Sequence, residues 1–398
     1  MGEVSKKLKS YSLTRSVESR TKTQIKYVHY GDIHTGIAQN ITINNKLPWI
    51  KLDQSKEIEK LKRGDIIVAD ASEDYKGIAD AALIEESLPY NIIAGLHTIA
   101  FRPNNQLMDS KFIFYSLQNI NFKRYGYKIG TGLKVFGISA NNFFNFNLKF
   151  PNILEQNKIS TIINKLKNLL ALYERKLKLL SRVKKYFLDN LFAKKEYPNL
   201  RFKGFTDAWK QRKLENLSEH KSGTSIEKYF SSDGLYKVIS IGSYGLNNEY
   251  IDQGIRAVKN KTTESKLVRS GQLTMVLNDK TANGNLIGRC LLISKDNEFI
   301  VNQRTEIIIP GPDLNENYAY YYLNGPFRNK VKKIAQGGTQ IYVNYSSVKR
   351  QKINYPIKNE QIKISKLFKI INYLITLYEN KQQHLTEIKK TFLNTMFI

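Results

Sequence analysis

The sequence has a single cysteine, Cys290, in 398 residues. One thiol forms no intramolecular disulfide and supplies no cysteine-based zinc site. Long apolar runs are also missing, since none approaches the roughly 18 residues that a membrane-spanning helix needs. The charged N-terminus is not followed by the apolar segment of a signal peptide. We therefore exclude a disulfide-stapled secreted domain and a membrane protein, and expect the chain to be cytoplasmic.

The familiar catalytic motifs are absent as well. There is no GxxxxGK phosphate loop, no HExxH zinc motif, and no NPPY-type motif or FxGxG loop of a methyltransferase that uses S-adenosylmethionine. We interpret His29 and His34 as polar residues of a surface or strand, not as metal ligands. The carboxylates Asp70, Glu73 and Asp74 lack the following lysine of a nuclease centre, and we place them in a loop. The sequence therefore predicts a non-catalytic binding protein with no metal site.

Negative charge is scarce, with 35 Asp+Glu against 63 Lys+Arg and a formal net charge of +28. Such an excess favours a polyanionic partner, most often nucleic acid. An AT-rich genome, which raises the lysine content without any function, is the alternative explanation. Because the positive charge is spread through both halves of the chain, we favour a nucleic-acid-binding surface that occurs twice.

The chain contains an internal repeat. Residues 151–192 and 356–397 align without a gap at an offset of 205, and 17 of 42 positions are identical. The identities include Tyr173 with Tyr378 and Phe192 with Phe397. Identity of this extent without a gap indicates a duplication.

Each repeat copy predicts a long helix opened by a proline. Its apolar residues follow the 3–4 alternation of a coiled-coil seam, interrupted at Lys184 in the first copy and at Gln382 and Lys389 in the second. A helix of this length extends about 60 Å, which suits a spacer better than one of two unrelated core helices. Since both copies carry the same seam, we expect them to pack together through Ile163, Leu166, Leu170, Tyr173, Leu177, Leu180, Phe368, Ile371, Ile375, Tyr378 and Leu385.

The segments before the two helices also correspond. Residues 62–72 and 268–279 each place a charged turn before an apolar strand, and 125–139 and 331–346 each contain a glycine loop. Short β-runs mixed with helical segments predict an α+β chain, with two globular α/β units separated by two long helices packed as an antiparallel coiled coil. The expected segments are a first globular domain at 1–150, a first helix at 151–195, a second globular domain at 196–355 and a second helix at 356–398.

Three motifs carry a resemblance to a known family: GFTDAWKQRKLENLS at 204–218, PxxxEQxKIS at 151 and 356, and LYE at 172–174 and 377–379. With the duplicated plan, they make the whole chain resemble the specificity subunit of type I restriction-modification systems. The resemblance implies two target recognition domains, each reading one half of a bipartite DNA site. The helices would set the spacing and dock two modification subunits, and restriction subunits would complete the complex. It also implies that this chain binds no cofactor, with S-adenosylmethionine, ATP and Mg on the partner subunits.

The opening phrase of the second globular domain has no counterpart in the first. MGEVSKK aligns with LENLSEH at 214–220, so the chain departs from the family pattern by lacking a leader of about 15 to 20 residues. We expect this departure to affect the first strand of the first domain.

Basic, amide and hydroxyl side chains on loops near glycine are the candidates for DNA contacts. Arginine and lysine can read guanine, asparagine and glutamine can read adenine, and a glycine loop can approach phosphate. The glycine loops at 130–132 and 337–338 recur at equivalent places and are the strongest candidates. The nominated residues are Lys76, Arg102, Lys128, Thr131, Lys134, Lys280, Asn283, Arg289, Arg304, Thr339, Gln340 and Tyr342.

Two other functions stay open on sequence grounds. A stand-alone DNA-modifying or DNA-cleaving enzyme with an unrecognised site would be active without partners. A scaffold that binds RNA or polyanions in general would show no preference among duplex sequences at moderate salt, where phosphate contacts weaken.

Overall fold

A computed structural model describes residues 1–13, 15–51, 58–73, 77, 79–132, 135–192, 196–280 and 283–397. Contacts divide the chain into two compact units, Met1–Glu174 with Asn380–Ile398 (unit 1) and Arg175–Glu379 (unit 2). Each of the two long helices therefore contributes one segment to each unit. Within the described residues, no helix has both the length and the apolar character required to cross a membrane.

Unit 1 mixes short strands and helices in an α+β arrangement. Its elements are β1 (Ser5–Leu8), β2 (Glu18–Ser19), β3 (Ile25–Val28), α1 (Tyr30–His34), β4 (Asn40–Ile41), β5 (Trp49–Ile50), β6 (Ile66–Ala69), β7 (Ala71–Ser72), β8 (Ala81–Ile84), β9 (Asn91–Ala94), β10 (Thr98–Pro103), α2 (Ser110–Ser116), α3 (Ile120–Ile129), β11 (Phe136–Gly137), α4 (Ala140–Phe144) and α5 (Ile153–Asn190), the last continuing into unit 2.

Two sheets organise unit 1. The first has the order β1-β10-β6-β8-β4, and its central strand β6 is buried along its whole length, as expected for the run Ile-Ile-Val-Ala. The second has the order β2-β5-β3-β9, in which β3 and β9 are parallel. A core that includes Phe101, Phe112 and Phe122 joins the first sheet to α2 and α3. The predicted α+β class is confirmed.

Unit 2 repeats this arrangement. Its elements are β12 (Lys210–Lys213), β13 (Ser218–Ser222), β14 (Tyr236–Ile239), β15 (Arg256–Ala257), α6 (Lys261–Glu264), β16 (Leu267–Val268), β17 (Leu273–Val276), β18 (Asn278–Asp279), β19 (Cys290–Leu292), β20 (Phe299–Val301), β21 (Thr305–Pro310), α7 (Glu316–Tyr322), a π-helical turn (Leu323–Phe327), α8 (Arg328–Ile334), β22 (Ile341–Tyr342), α9 (Tyr345–Lys349), β23 (Lys352–Tyr355) and α10 (Lys358–Thr395), the last continuing into unit 1.

Strand connections confirm that the two units are copies of one fold. The order β13-β21-β17-β19 reproduces β1-β10-β6-β8, and β14 pairs in parallel with β20 as β3 does with β9. Ser5 lies opposite Pro103 in unit 1, and Ser218 lies opposite Pro310 in unit 2. Unit 2 has an additional antiparallel pair, β12 with β23. Cys290 opens β19 and is fully buried, and that burial raises the pKa of its thiol.

The predicted long helices are confirmed as α5 and α10, each of 38 residues. Pro151 and Pro356 lie two residues before them and not, as we expected, in the first helical turn. Restricted backbone freedom at the residue preceding a proline favours an extended entry, and Asn152 then caps α5 by accepting a hydrogen bond from the Glu155 amide at 3.0 Å.

Within each unit, the α5 and α10 segments run antiparallel. In unit 1, Ile159 and Ile163 of α5 share a core cluster with Leu393 and with Phe397, just beyond α10. Unit 2 provides the clearest pair, because Phe192 at the end of the first repeat copy stacks on Phe368 near the start of α10, with ring centroids 5.5 Å apart.

The predicted seam residues lie on the less exposed face of both helices. Ile163, Phe368 and Ile371 are buried, and the other nominated seam positions are half-buried. The seam lysines Lys184 and Lys389 are also half-buried, and burial lowers the pKa of both ammonium groups. The packing role of the individual seam residues stays a prediction, as do the four segment boundaries given above.

A buried glutamine joins each long helix to the globular part beside its start. In unit 1, the Gln156 amide group donates to the Leu107 and Pro151 carbonyls at 3.0 and 2.8 Å, and its oxygen accepts from the Asp109 amide at 3.0 Å. Asp109 caps α2. The glutamine is fully buried, so these three main-chain partners satisfy its side chain.

Gln361 makes the same set of contacts in unit 2. It donates to the Asp313 and Pro356 carbonyls, each at 2.9 Å, and accepts from the Asn315 amide at 2.8 Å. Asn315 caps α7 as Asp109 caps α2. We refer to these two arrangements as the glutamine clasps.

Candidate nucleic-acid interface

The two glycine loops nominated from the sequence have equivalent backbone structures. In unit 1, Thr131 and Gly137 exchange two main-chain hydrogen bonds of 3.0 and 2.8 Å. In unit 2, Gln336 and Tyr342, 205 residues further along, exchange two of 2.8 and 2.9 Å. We call residues 131–137 and 336–342 the paired hairpins.

The second position of each hairpin requires glycine. Gly132 and Gly337 have φ angles of +133° and +101°, which side-chain-bearing residues rarely adopt. A Cβ atom there would lie 1.9 Å from the Val135 carbonyl oxygen or 2.0 Å from that of Gln340. Gly338, by contrast, has no atom within 4 Å of such a Cβ. The tight turn thus depends on Gly132 and Gly337.

A short strand ties each hairpin to its unit. β11 pairs with β7, opposing Phe136 to Ser72, and β22 pairs with β18, opposing Ile341 to Asp279. The hairpin in unit 2 is exposed from 336 to 340, and Tyr342 is 39% exposed. Thr339 and Gln340 therefore stand on an accessible loop with a rigid base.

The remaining unit 1 nominations occupy different environments. Lys128 is exposed in the last turn of α3, five residues before the bounds of the masking-free hairpin arm at 131–132 end, and Thr131 is exposed at the hairpin base. Arg102 instead donates two hydrogen bonds of 2.7 Å to Asp65, which is fully buried. Lys76 and Lys134 lie outside the described residues.

In unit 2, Lys280, Asn283 and Arg304 are exposed. Arg304 has a φ of +64° in the turn between β20 and β21. Arg289 is half-buried, and its guanidinium donates to the Asn285 and Leu246 carbonyls, both at 2.6 Å. The DNA-contacting role of every nominated residue stays a prediction.

Beside the hairpin base of unit 1 lies an acid–base cluster that sequence reasoning missed. Asp80 accepts from Lys123 Nζ at 2.6 Å and lies 3.3 Å from His34 Nδ1, while His34 Nε2 donates to the Ala71 carbonyl in β7 at 2.8 Å. Burial alone would raise the pKa of Asp80, but the His34 and Lys123 contacts together lower it. The carboxylate is therefore ionised at neutral pH and holds the two basic groups together.

The equivalent place in unit 2 carries two arginines. Arg289 precedes β19 as Asp80 precedes β8, and Arg328 lies 205 residues after Lys123. Arg328 donates to the Ile287 and Asn285 carbonyls at 2.9 and 2.7 Å, and no salt bridge joins either guanidinium to a carboxylate within the described ranges.

Both arginines remain cations at neutral pH. Burial lowers the pKa of Arg328 to about 10 and lowers that of Arg289 as well. The same structural position is thus a mixed acid–base cluster in unit 1 and doubly positive in unit 2. Comparing the two halves of the chain at the 205-residue offset would have found Lys123 and Arg328, but the offset of 209 between Asp80 and Arg289 hides the other pair.

No group of three or more histidine, cysteine, aspartate or glutamate residues within the described part of the chain is arranged to hold a metal ion. The chemistry that the interface offers is therefore hydrogen bonding and positive charge. Exposed amide, hydroxyl and basic groups on a rigid hairpin suit contacts to base edges and phosphates.

Comparison with known proteins places this arrangement among its relatives. A family model described as the type I restriction modification DNA specificity domain matches residues 206–387. The type I restriction enzyme MjaVIII specificity subunit of Methanocaldococcus jannaschii is 24% identical over 311 residues, a match that covers 75% of this chain and 72% of that protein. The putative MjaX specificity subunit of the same organism is 20% identical over 363 residues, covering 88% and 82%.

A solved structure has a similar fold along the whole chain. The S subunit of the type I restriction-modification system from M. genitalium matches with a TM-score of 0.61 at 14% identity, covering 100% of this chain and 94% of that one. At this identity the likeness concerns the fold alone.

Proposed function

Because residues 206–387 form a type I restriction modification DNA specificity domain and the chain resembles type I specificity subunits over most of its length, we propose that it is the DNA-recognition subunit of a type I restriction-modification complex. In this role, each unit reads one half of a bipartite DNA site. The chain supplies sequence recognition and carries none of the reaction chemistry.

The observation that carries the two-half-site proposal is the duplication of the interface. Each unit has the same sheets, the same hairpin and the same helix junction, so each can address DNA in the same manner. The side chains on the two hairpins differ, with Gly-Thr-Gln-Ile at 338–341. Two similar frames with different exposed side chains suit the reading of two different half-sites.

The paired hairpins are the proposed base-reading elements. Thr339 and Gln340 offer hydroxyl and amide groups, and glutamine can make two hydrogen bonds to adenine. Lys128 and its counterpart Lys333 are both exposed near the ends of their helices and suit contacts to phosphate, as do Lys280 and Arg304. The net charge of +28 provides the sequence-independent part of the affinity.

We assign the long helices to spacing and assembly. Half-sites on one face of B-DNA recur about every 34 Å, and a helix of 38 residues extends about 57 Å, so the length is sufficient for a ruler. Modification subunits, two in our proposal, would dock on the exposed helix faces. They would bring the adenine methylation that uses S-adenosylmethionine, and restriction subunits would bring ATP- and Mg-dependent cleavage.

Co-expression with a modification subunit tests the function directly. We expect methylated adenines to map to a bipartite motif with a fixed gap. Exchanging residues 218–350 for the corresponding segment of a relative should change one half of the motif and leave the other unchanged.

The purified chain alone provides the control, and we expect it to bind duplex DNA without methylating or cleaving it. Turnover by the chain alone, or a swap that changes both halves of the motif, would contradict the proposal. Binding without preference among duplex sequences at moderate salt would support a general polyanion scaffold instead.

A further inference from the structure

A strand covers the edge of unit 2 where the chain approaches α10. β12 pairs antiparallel with β23, opposing Lys213 to Lys352 and Gln211 to Asn354. Just beyond this pair, the Leu214 amide donates to the Gln351 carbonyl at 3.0 Å. The segment 209–214 therefore closes the edge with a continuous ladder, and Trp209, 4% exposed, is buried at its beginning.

Unit 1 has the same edge up to one hydrogen bond. The Met1 nitrogen donates to the Phe146 carbonyl at 2.8 Å, and these two residues correspond to Leu214 and Gln351. The next residues, 147–150, correspond to β23, but among the described residues they pair with no strand. The ladder thus begins in unit 1 and stops after its first hydrogen bond.

The open edge leaves apolar groups accessible that are buried in unit 2. Phe150 is 42% exposed, whereas its counterpart Tyr355 is 2% exposed. Leu148 is half-buried, whereas Ile353 is buried at 1%. A cavity of about 250 Å³ lies against this edge, lined in part by Phe122, Leu148 and Phe397.

We propose that residues 147–150 form a docking edge for an extended peptide strand, antiparallel, with the chemistry of residues 209–213. This peptide has a tryptophan that enters the apolar site and, after it, polar and basic residues that face solvent. The choice of occupant comes from unit 2, where all four residues of β12 are exposed while Trp209 is buried. Strand addition supplies main-chain hydrogen bonds, and a side-chain pocket supplies selectivity.

A labelled peptide with the sequence of residues 204–214 tests the proposal on the full chain. We expect saturable binding by fluorescence anisotropy, weakened at least tenfold when the peptide carries Trp209→Ala. A scrambled peptide of the same composition controls for charge. Equal binding of the three peptides would overturn the proposal, because it would indicate attraction without strand pairing.

Two variants of the chain separate docking at this edge from binding elsewhere. Phe150→Ser should weaken binding of the peptide at least tenfold. Ile43→Ser, at a residue of the same unit that is 56% exposed, should leave it unchanged. Since both side chains are largely exposed, circular dichroism and thermal melting should confirm that both variants fold. Unchanged binding to Phe150→Ser would mean that the peptide exchanges with β12 in unit 2, and would overturn the proposal.

A disulfide reports the register. The pairing of Gln211 with Asn354 predicts that a peptide with Gln211→Cys cross-links to a chain with Lys149→Cys, because directly opposed residues lie within disulfide distance. A Lys210→Cys peptide, whose side chain points to the other face, should not. Cys290 is buried and does not compete. Equal cross-linking of both peptides, or a chain dimer that forms through the Lys149→Cys thiol in place of the peptide adduct, would overturn the assignment.

Discussion

At the scale of single residues, Arg102 has the most clearly defined partner among the nominated DNA contacts. It lies opposite Lys6 in the first sheet and donates two hydrogen bonds to the buried Asp65. Asp65 also accepts from the Lys62 amide at 2.7 Å. A buried carboxylate with a bidentate arginine is a costly group to leave alone, so the pair ties the turn before β6 to β10.

Replacing Arg102 by glutamine should therefore act mainly on stability. We expect the free energy of unfolding to fall by about 3 kcal/mol, because the Asp65 carboxylate stays buried without its cation. Urea denaturation measures the change. Arg304→Gln is the matched control, since Arg304 is exposed and should alter stability by no more than about 0.5 kcal/mol. An Arg102 variant of unchanged stability that loses DNA binding would support the base-reading role.

The glutamine clasps lead to a second prediction at this scale. Changing Gln361 to alanine leaves the Asn315 amide and two carbonyls without their partner in a buried place, and should lower the free energy of unfolding by about 2–3 kcal/mol. Gln156→Ala should cost a similar amount. Gln383→Ala, on an exposed part of α10, is the control. Equal stability of all three variants would contradict a structural role for the clasps.

At the scale of elements, the paired hairpins combine a rigid base with an accessible loop. The turn depends on one glycine per hairpin, whereas the neighbouring glycine in unit 2 has no such requirement. The loop can therefore vary in side chain while its backbone path stays fixed.

Gly337→Ala should disturb this backbone path without unfolding unit 2. The added Cβ would overlap the Gln340 carbonyl, at a cost of about 1–3 kcal/mol in local strain. We expect the affinity for the cognate duplex to fall about tenfold or more, with a small change in melting temperature. Gly338→Ala, which meets no atom, should bind as the unchanged protein does. Equal affinities of the two variants would contradict the proposed role of the hairpin.

How far the sequence could predict these elements depends on spacing. The long helices and the hairpins share one offset of 205, so a gap-free comparison detects both. The strands do not: Thr98–Pro103 and Thr305–Pro310 lie 207 apart, and Ser5 and Ser218 lie 213 apart. Loops between strands tolerate insertions, and each insertion moves the offset. The cluster at Asp80 and Lys123 escaped prediction for this reason, and the clasps escaped because their partners are main-chain atoms.

At the scale of the whole molecule, the continuous helices are the elements common to both units. The boundary between the units falls after Glu174 in α5 and after Glu379 in α10, which are equivalent residues of the repeat. A change at these two points preserves the contacts inside each unit. It therefore tests spacing separately from recognition.

Inserting one heptad after Glu174 and one after Glu379 should lengthen the gap of the DNA motif. Seven residues add about 10 Å to a helix and keep the phase of the seam. At about 3.4 Å per base pair, we expect a gap about three base pairs longer, with both half-sites unchanged. Methylation mapping with the modification subunit measures it. An unchanged gap would contradict the spacing role of the helices.

The glutamine clasps have a consequence for how such a protein can evolve. All six clasp contacts are made to main-chain atoms, which every amino acid possesses. Mutations that change the side chains of a globular part can accumulate without loosening its attachment to the helix. A lineage can therefore acquire a new recognition sequence by drift or by exchange of a whole segment, while one inherited joint continues to fit each successive domain.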